Sequence, residues 1–85
     1  HNNFPKFYYF IDKLDIKYIR SLNKNVAIIY RNYEKKPSEA EIRKFQAYCK
    51  KNYRKFLISY HYDIEIKFSL DGLYIPEKKK KKIYI

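Results

Sequence analysis

Three short runs along the chain are apolar throughout or nearly so: Phe7–Ile11 (FYYFI), Val26–Tyr30 (VAIIY) and Phe56–Ser59 (FLIS). Their length and their β-branched and aromatic content predict strands. The lack of alternation predicts burial on both faces, as in a parallel sheet. Leu73–Ile75, stopped by Pro76, reads as a short fourth strand. Between the first two, Asp15–Leu22 sets Ile16, Ile19 and Leu22 near one side of a short helix. A second helix begins at Ser38, where Ser38 and Glu41 form an S-x-x-E capping box. Glu39 and Glu41 in its first turn, and Lys50, Lys51 and Arg54 at its far end, suit the helix dipole. Ile42, Phe45, Cys49 and Tyr53 make its apolar stripe.

The stretch from Tyr62 to Leu70 reads two ways. Tyr62, Ile64, Ile66, Phe68 and Leu70 alternate as in a half-buried strand, yet Ile64 and Phe68 also share one helical face. Asp71–Gly72 is a turn signal, and the lysine run Lys78–Lys82 reads as a solvated loop. Strands alternating with helices predict an α/β fold with a parallel sheet in chain order. The first strand is not followed by G-x-G-x-x-G, which speaks against a dinucleotide site.

Composition changes the picture in two places. The net charge of +11 invites a small basic nucleic-acid-binding module. Yet Lys, Ile, Tyr, Asn and Phe make up 51 of the 85 residues, and 16 of the 20 cationic side chains are lysine. That bias follows AT-rich codons, and it is poor in the arginine that reads bases. Nucleic acid is therefore the disfavoured partner. The single Cys49 excludes an internal disulfide and predicts a packing role and a cytoplasmic setting. No apolar run approaches the roughly 20 residues of a membrane span, so no membrane partner is expected. The chain opens at His1 and contains no Met, which predicts a segment of a longer protein.

From Asn25 to Glu77, with the strand ending in Arg31 (NVAIIYR), the capped helix from Ser38 (SEAEIRKFQAYCKK) and "SLDGLYI" as its most specific parts, the chain resembles the second to fourth β/α units of the thiamine-phosphate synthase and thiazole tautomerase family. Phe7–Asp12 (FYYFID) is similar to that family's first strand. The resemblance implies a partial (β/α)8 barrel: residues 1–85 as its N-terminal half, about four parallel strands with three helices, and a helix rather than a strand at 62–70. It implies a place in thiamine metabolism, as a synthase (a transferase using Mg²⁺) or a tautomerase, with ligands at the carboxyl ends of the strands. The first and fourth strands of such a half would keep open edges, so the rest of the barrel or a second copy is expected beside them.

Carried over position by position, Arg31 matches the arginine of the family's Gln-x-Arg-x-Lys pattern, while Ile29 and Tyr33 replace its neighbours. Ser59 and Tyr60 stand where the family has Asn-Asp, and Lys79 where it has a second metal-binding aspartate. The resemblance therefore implies no metal ligands in this segment, and either a degenerate synthase or a non-catalytic binder of a phosphorylated small molecule. The candidate substrate-binding residues are Arg31, Asn32, Ser59 and Asp12. Asp12 has a second reading, as the cap of the following helix. His61 is either an acid–base group or an exposed loop histidine.

Overall fold

The computed structural model describes residues 7–76 and 81–84. Its elements are β1 (Phe7–Ile11), β2 (Val26–Tyr30), α1 (Glu39–Lys51), β3 (Phe56–Ser59), α2 (Tyr62–Phe68), β4 (Gly72–Pro76) and β5 (Lys81–Tyr84). One five-stranded sheet holds them in the order β1-β2-β3-β4-β5. The first four strands are parallel, with Phe7 opposite Val26, Ile28 opposite Phe56 and Leu57 opposite Gly72. The chain is thus α/β, with the parallel strands in chain order.

Both helices lie on one face of the sheet. Ile42, Phe45 and Cys49 of α1 and Ile64 and Phe68 of α2 pack with Ile28, Tyr30, Phe56 and Ile58. Right-handed crossovers between adjacent parallel strands produce this one-sided arrangement. The other face buries Ala27, Ile29, Leu57 and Tyr74 under Tyr8 and Phe10, without a helix.

The capping box forms: Ser38 N–H donates to Glu41 Oε1 at 2.9 Å and Glu41 N–H donates to Ser38 Oγ at 3.2 Å. The segment at 62–70 is helical over Tyr62–Phe68, burying Ile64 and Phe68 and leaving Ile66 outside. The helix stops at Ser69, whose φ of 51° lies in the left-handed region.

Several expectations are corrected. The helix expected at Asp15–Leu22 is a single 3-10 turn, Ile16–Tyr18, so two α-helices accompany the parallel strands. Ile16, Ile19 and Leu22 are spaced by three, which suits tight turns, and Asp15 closes the first by accepting from Lys17 N–H at 3.1 Å. Tyr53 leaves the α1 stripe: it follows the C-cap Asn52 with φ 56° and is 85% exposed. β1 is buried on neither face at its start, with Phe7 and Tyr9 59% and 42% exposed, because β1 is a sheet edge. The lysine run is not all loop. Lys81–Tyr84 forms β5, which pairs antiparallel with β4, Tyr74 opposite Ile83. The β4 edge expected to be open is therefore covered.

At the amino ends of the strands, two polar side chains replace missing backbone partners. Asp71 accepts from Phe56 N–H at 2.8 Å, the structural turn role its sequence predicts. Arg54, expected to complement the α1 dipole, is instead 5% exposed and donates to the carbonyls of Leu22, Asn23 and Val26.

Candidate functional site

In a parallel sheet all carboxyl ends share one rim, where loops bring polar groups together. Ile11, Tyr30 and Ile58 stand in register, as do Ser59 and Tyr74. One step beyond the first three, Asp12 and Arg31 fall in line with Ser59 and Tyr74. The ladder continues there, since Arg31 N–H donates to Ile11 O at 2.8 Å. Three of the four candidate residues thus share one cross-strand row. The alternation of β2 and β3 puts this row on the helix-free face, with Ile29 and Leu57.

Arg31 is exposed, and its guanidinium carbon lies 4.1 Å from the Phe10 ring centroid. Among the described residues it has no ion-pair partner. With Asp12, Phe10 and Tyr18 it lines an open groove of ≈ 400 Å³. Ser59 lies one strand further in, fully buried, and its hydroxyl has no hydrogen-bond partner among the described residues. It lines neither this groove nor the larger one described below.

Asn32 joins the loops. Its Nδ2 donates to Asp12 O at 3.2 Å, and its Oδ1 accepts from Glu34 N–H and Lys35 N–H, both at 3.1 Å. Its own carbonyl lies 2.8 Å from His61 Nε2. The side chain thus bonds through both its amide nitrogen and its oxygen and braces the loops. His61 is half-buried rather than an exposed loop residue, and it ties the loop after β3 to the loop after β2. The Asp12 cap reading is corrected: Asp15 caps the 3-10 turn, while Asp12 contributes its carbonyl to Asn32.

A larger groove of ≈ 550 Å³ opens on the helix side of the same rim, between the loop after β1 and α1. Asp12, Asp15, Tyr30, Lys35, Glu41 and Lys44 are among its lining residues. The Tyr30 hydroxyl donates to Lys35 O at 2.9 Å. Burial, followed by the nearby carboxylates of Glu41 and Asp12, raises its pKa and keeps it protonated. Glu41 is held below the usual carboxylate range, chiefly by the Ser38 backbone N–H.

Sequence reasoning missed Phe10, Tyr74 and the aromatic group around Tyr60. Tyr60 has φ 82°, and its ring meets Tyr33 at 5.3 Å and His61 at 5.9 Å. The strand pattern marks Phe10 and Tyr74 only as apolar, and a positive φ at tyrosine has no sequence signal.

The row of Asp12, Arg31 and Ser59, with Tyr60 beside it, does not fit Mg²⁺. Asp12 is one carboxylate, Ser59 and Tyr60 offer a buried hydroxyl and a phenol, and Mg²⁺ requires a near-octahedral set of hard oxygens. Among the described residues no three His, Cys, Asp or Glu side chains cluster to hold a metal. Lys79 lies outside the described residues. Among them, too, no helix is long and apolar enough to cross a membrane. Comparison of the chain with protein-family models, with curated proteins and with solved structures gave no match.

Proposed function

We propose that this chain is a thiamine-phosphate-synthase-like β/α sheet that binds a phosphorylated small molecule at its carboxyl rim, without the metal-dependent transferase step. In this reading the helix-free face corresponds to the face that lines the interior in the family's full barrels, while here the antiparallel β5 covers the β4 edge. One observation carries the proposal: Arg31 projects from the carboxyl end of β2 into a groove, stacked on Phe10, with no carboxylate paired to it among the described residues. A guanidinium seated on a ring is held in place while its N–H fork stays free for an anion. Ser59, in the same row, is fully buried and lines neither groove, so the ligand contact rests on Arg31.

The sheet does two further things for such a ligand. It holds Arg31, the residue just past β2, by a ladder bond to Ile11 O. It also ties the three surrounding loops through Asn32 and His61, which limits how much the rim must reorganise on binding. Asp12 stands beside Arg31 and opposes anion binding in part, so the affinity expected is modest.

The test is an NMR titration with thiazole phosphate, thiamine phosphate and inorganic phosphate. Binding is expected to shift the backbone amides of Arg31, Asn32 and Tyr60. Arg31→Ala is expected to weaken it by about 10- to 100-fold, as loss of a charge-assisted bond does. Ser59→Ala is expected to leave both affinity and stability nearly unchanged, because Ser59 is fully buried, lines neither groove, and its hydroxyl has no partner among the described residues. Amide shifts confined to other parts of the chain, or an affinity unchanged in Arg31→Ala, would overturn the proposal.

A further inference from the structure

The two edges of the sheet are built differently. β5, at one edge among the described residues, reads Lys-Lys-Ile-Tyr. β1, at the other edge, reads Phe-Tyr-Tyr-Phe-Ile, with no charge, proline or glycine. Phe7 and Tyr9 are exposed on the helix side, where only the short 3-10 turn follows β1. Among the described residues no strand pairs with its outer side.

The unpaired groups of β1 can be identified. Ile11 O accepts from Arg31 N–H, so Ile11 faces β2. Along a strand the N–H and C=O of successive residues alternate in direction. Phe7 and Tyr9 therefore also face β2, while Tyr8 and Phe10 present their N–H and C=O to the open side.

We infer that the β1 edge is a self-association site, in which two copies pair antiparallel about a two-fold axis through Tyr9. In that register Tyr8 stands opposite Phe10 of the second copy and Phe7 opposite Ile11. Each Tyr8–Phe10 pairing exchanges both of its backbone hydrogen bonds, so every outward-facing group of the strand is satisfied. Tyr9 meets its own copy at a non-hydrogen-bonded position, where side chains approach most closely. Opposed residues lie on the same face, as a two-fold axis normal to the sheet requires. All five cross-strand pairs are aromatic or aromatic with isoleucine, the pairs that favour strand association.

A second copy fits this edge better than a partner of another kind. Set against its own reverse, the strand places an aromatic or isoleucine side chain opposite another at every position, as an isologous contact about Tyr9 needs. It also contains none of the 20 cationic side chains that would repel an identical chain. The net charge of +11 acts at longer range and is screened by salt. The inference does not depend on the ligand proposed above.

A cysteine on the two-fold axis reports the register directly. Tyr9→Cys is expected to form a covalent dimer rapidly with oxidised glutathione as the two-electron oxidant, because Cβ atoms at such a pair lie roughly 4.5 to 5.5 Å apart, near disulfide geometry. The native Cys49 is buried and stays out of the reaction. Ile66→Cys, on the exposed face of α2, is the collisional control. Phe7→Cys alone is expected to behave like the control, whereas a mixture of Phe7→Cys and Ile11→Cys links. In sedimentation, the unmodified chain is expected to show a concentration-dependent dimer that strengthens with salt, and Tyr9→Lys to weaken it at least about tenfold. A monomer at all concentrations, or Tyr9→Cys linking no faster than Ile66→Cys, would overturn the inference.

Discussion

The rings of Phe10 and Tyr74 meet edge to face at 5.1 Å, although β2 and β3 separate their strands. Neighbouring strands are about 4.8 Å apart, so β1 and β4 are roughly 14 Å apart across a flat sheet. The contact requires the sheet to curl toward its helix-free face and both rings to lean inward. Together they roof Ile29 and Leu57, which is how a face with no helix keeps those side chains dry.

This pair should show coupling in a double-mutant cycle. Tyr74→Ala is expected to destabilise the fold by about 3 kcal/mol, as truncation of a buried aromatic does. Phe10→Ala, at a partly buried edge position, should cost less. The coupling between them is expected at about 1 kcal/mol beyond the buried area. Urea denaturation of the four proteins measures it, and strictly additive losses would place the two rings out of contact in solution.

Arg54 should be irreplaceable by lysine. Its guanidinium fork reaches the carbonyls of Leu22 and Asn23 in the turn before β2 and of Val26 at the start of β2. An ammonium is a single point and cannot span them. Arg54→Lys and Arg54→Met are both expected to lower stability by about 2 kcal/mol or more, since charge-assisted bonds are lost and buried acceptors are left open. The urea midpoint reports this. A lysine variant as stable as the parent would show that charge alone is what the turn requires.

Stability should fall at both ends of the pH scale, for different groups. Glu39 is held low by its bond to Lys67, Glu41 by the Ser38 backbone N–H, and Asp63 by its bond to Lys36. A carboxylate depressed in the folded state contributes stability above its unfolded pKa and loses it as pH falls through the folded value. The thermal midpoint is therefore expected to drop below about pH 4, and Glu41→Gln to shrink that drop. Cys49 moves the other way, pushed by burial from 9.0 to about 12. Its contribution is complete below pH 9.0 and declines as pH rises toward about 12. Cys49→Ala is expected to flatten the alkaline side, and melting curves across pH follow both effects.

The elements most legible in the sequence were those with local signals. The capping box at Ser38 fixed the start of α1, and the apolar runs fixed β2 and β3 because both lie inside the sheet. β1 has the same kind of run but sits at an edge, and no local pattern says which strand will have one neighbour. The helix-like spacing of Ile16, Ile19 and Leu22 served equally well for successive tight turns. β5 was hidden because lysine is a poor strand former whose pairing depends on β4 being alongside. At the rim, Arg31, Ser59 and Asp12, named from the resemblance, share one row. The scaffold role of Asn32 and the partnership of His61 depend on loops separated by 20 and 29 residues, a distance no motif spans.

The reversed direction of β5 has a consequence for symmetry. A barrel of parallel strands is a ring in which every seam is alike, so it closes wherever enough units have accumulated. Here the last seam is antiparallel, and β5 brings its amino end to the rim where the other strands bring their carboxyl ends. If β5 met β1 to close a ring, that seam would be antiparallel as well. The rotational repeat that defines an eight-fold barrel is therefore broken once within these 85 residues, and any closed form of this sheet would carry one strand out of phase with the rest.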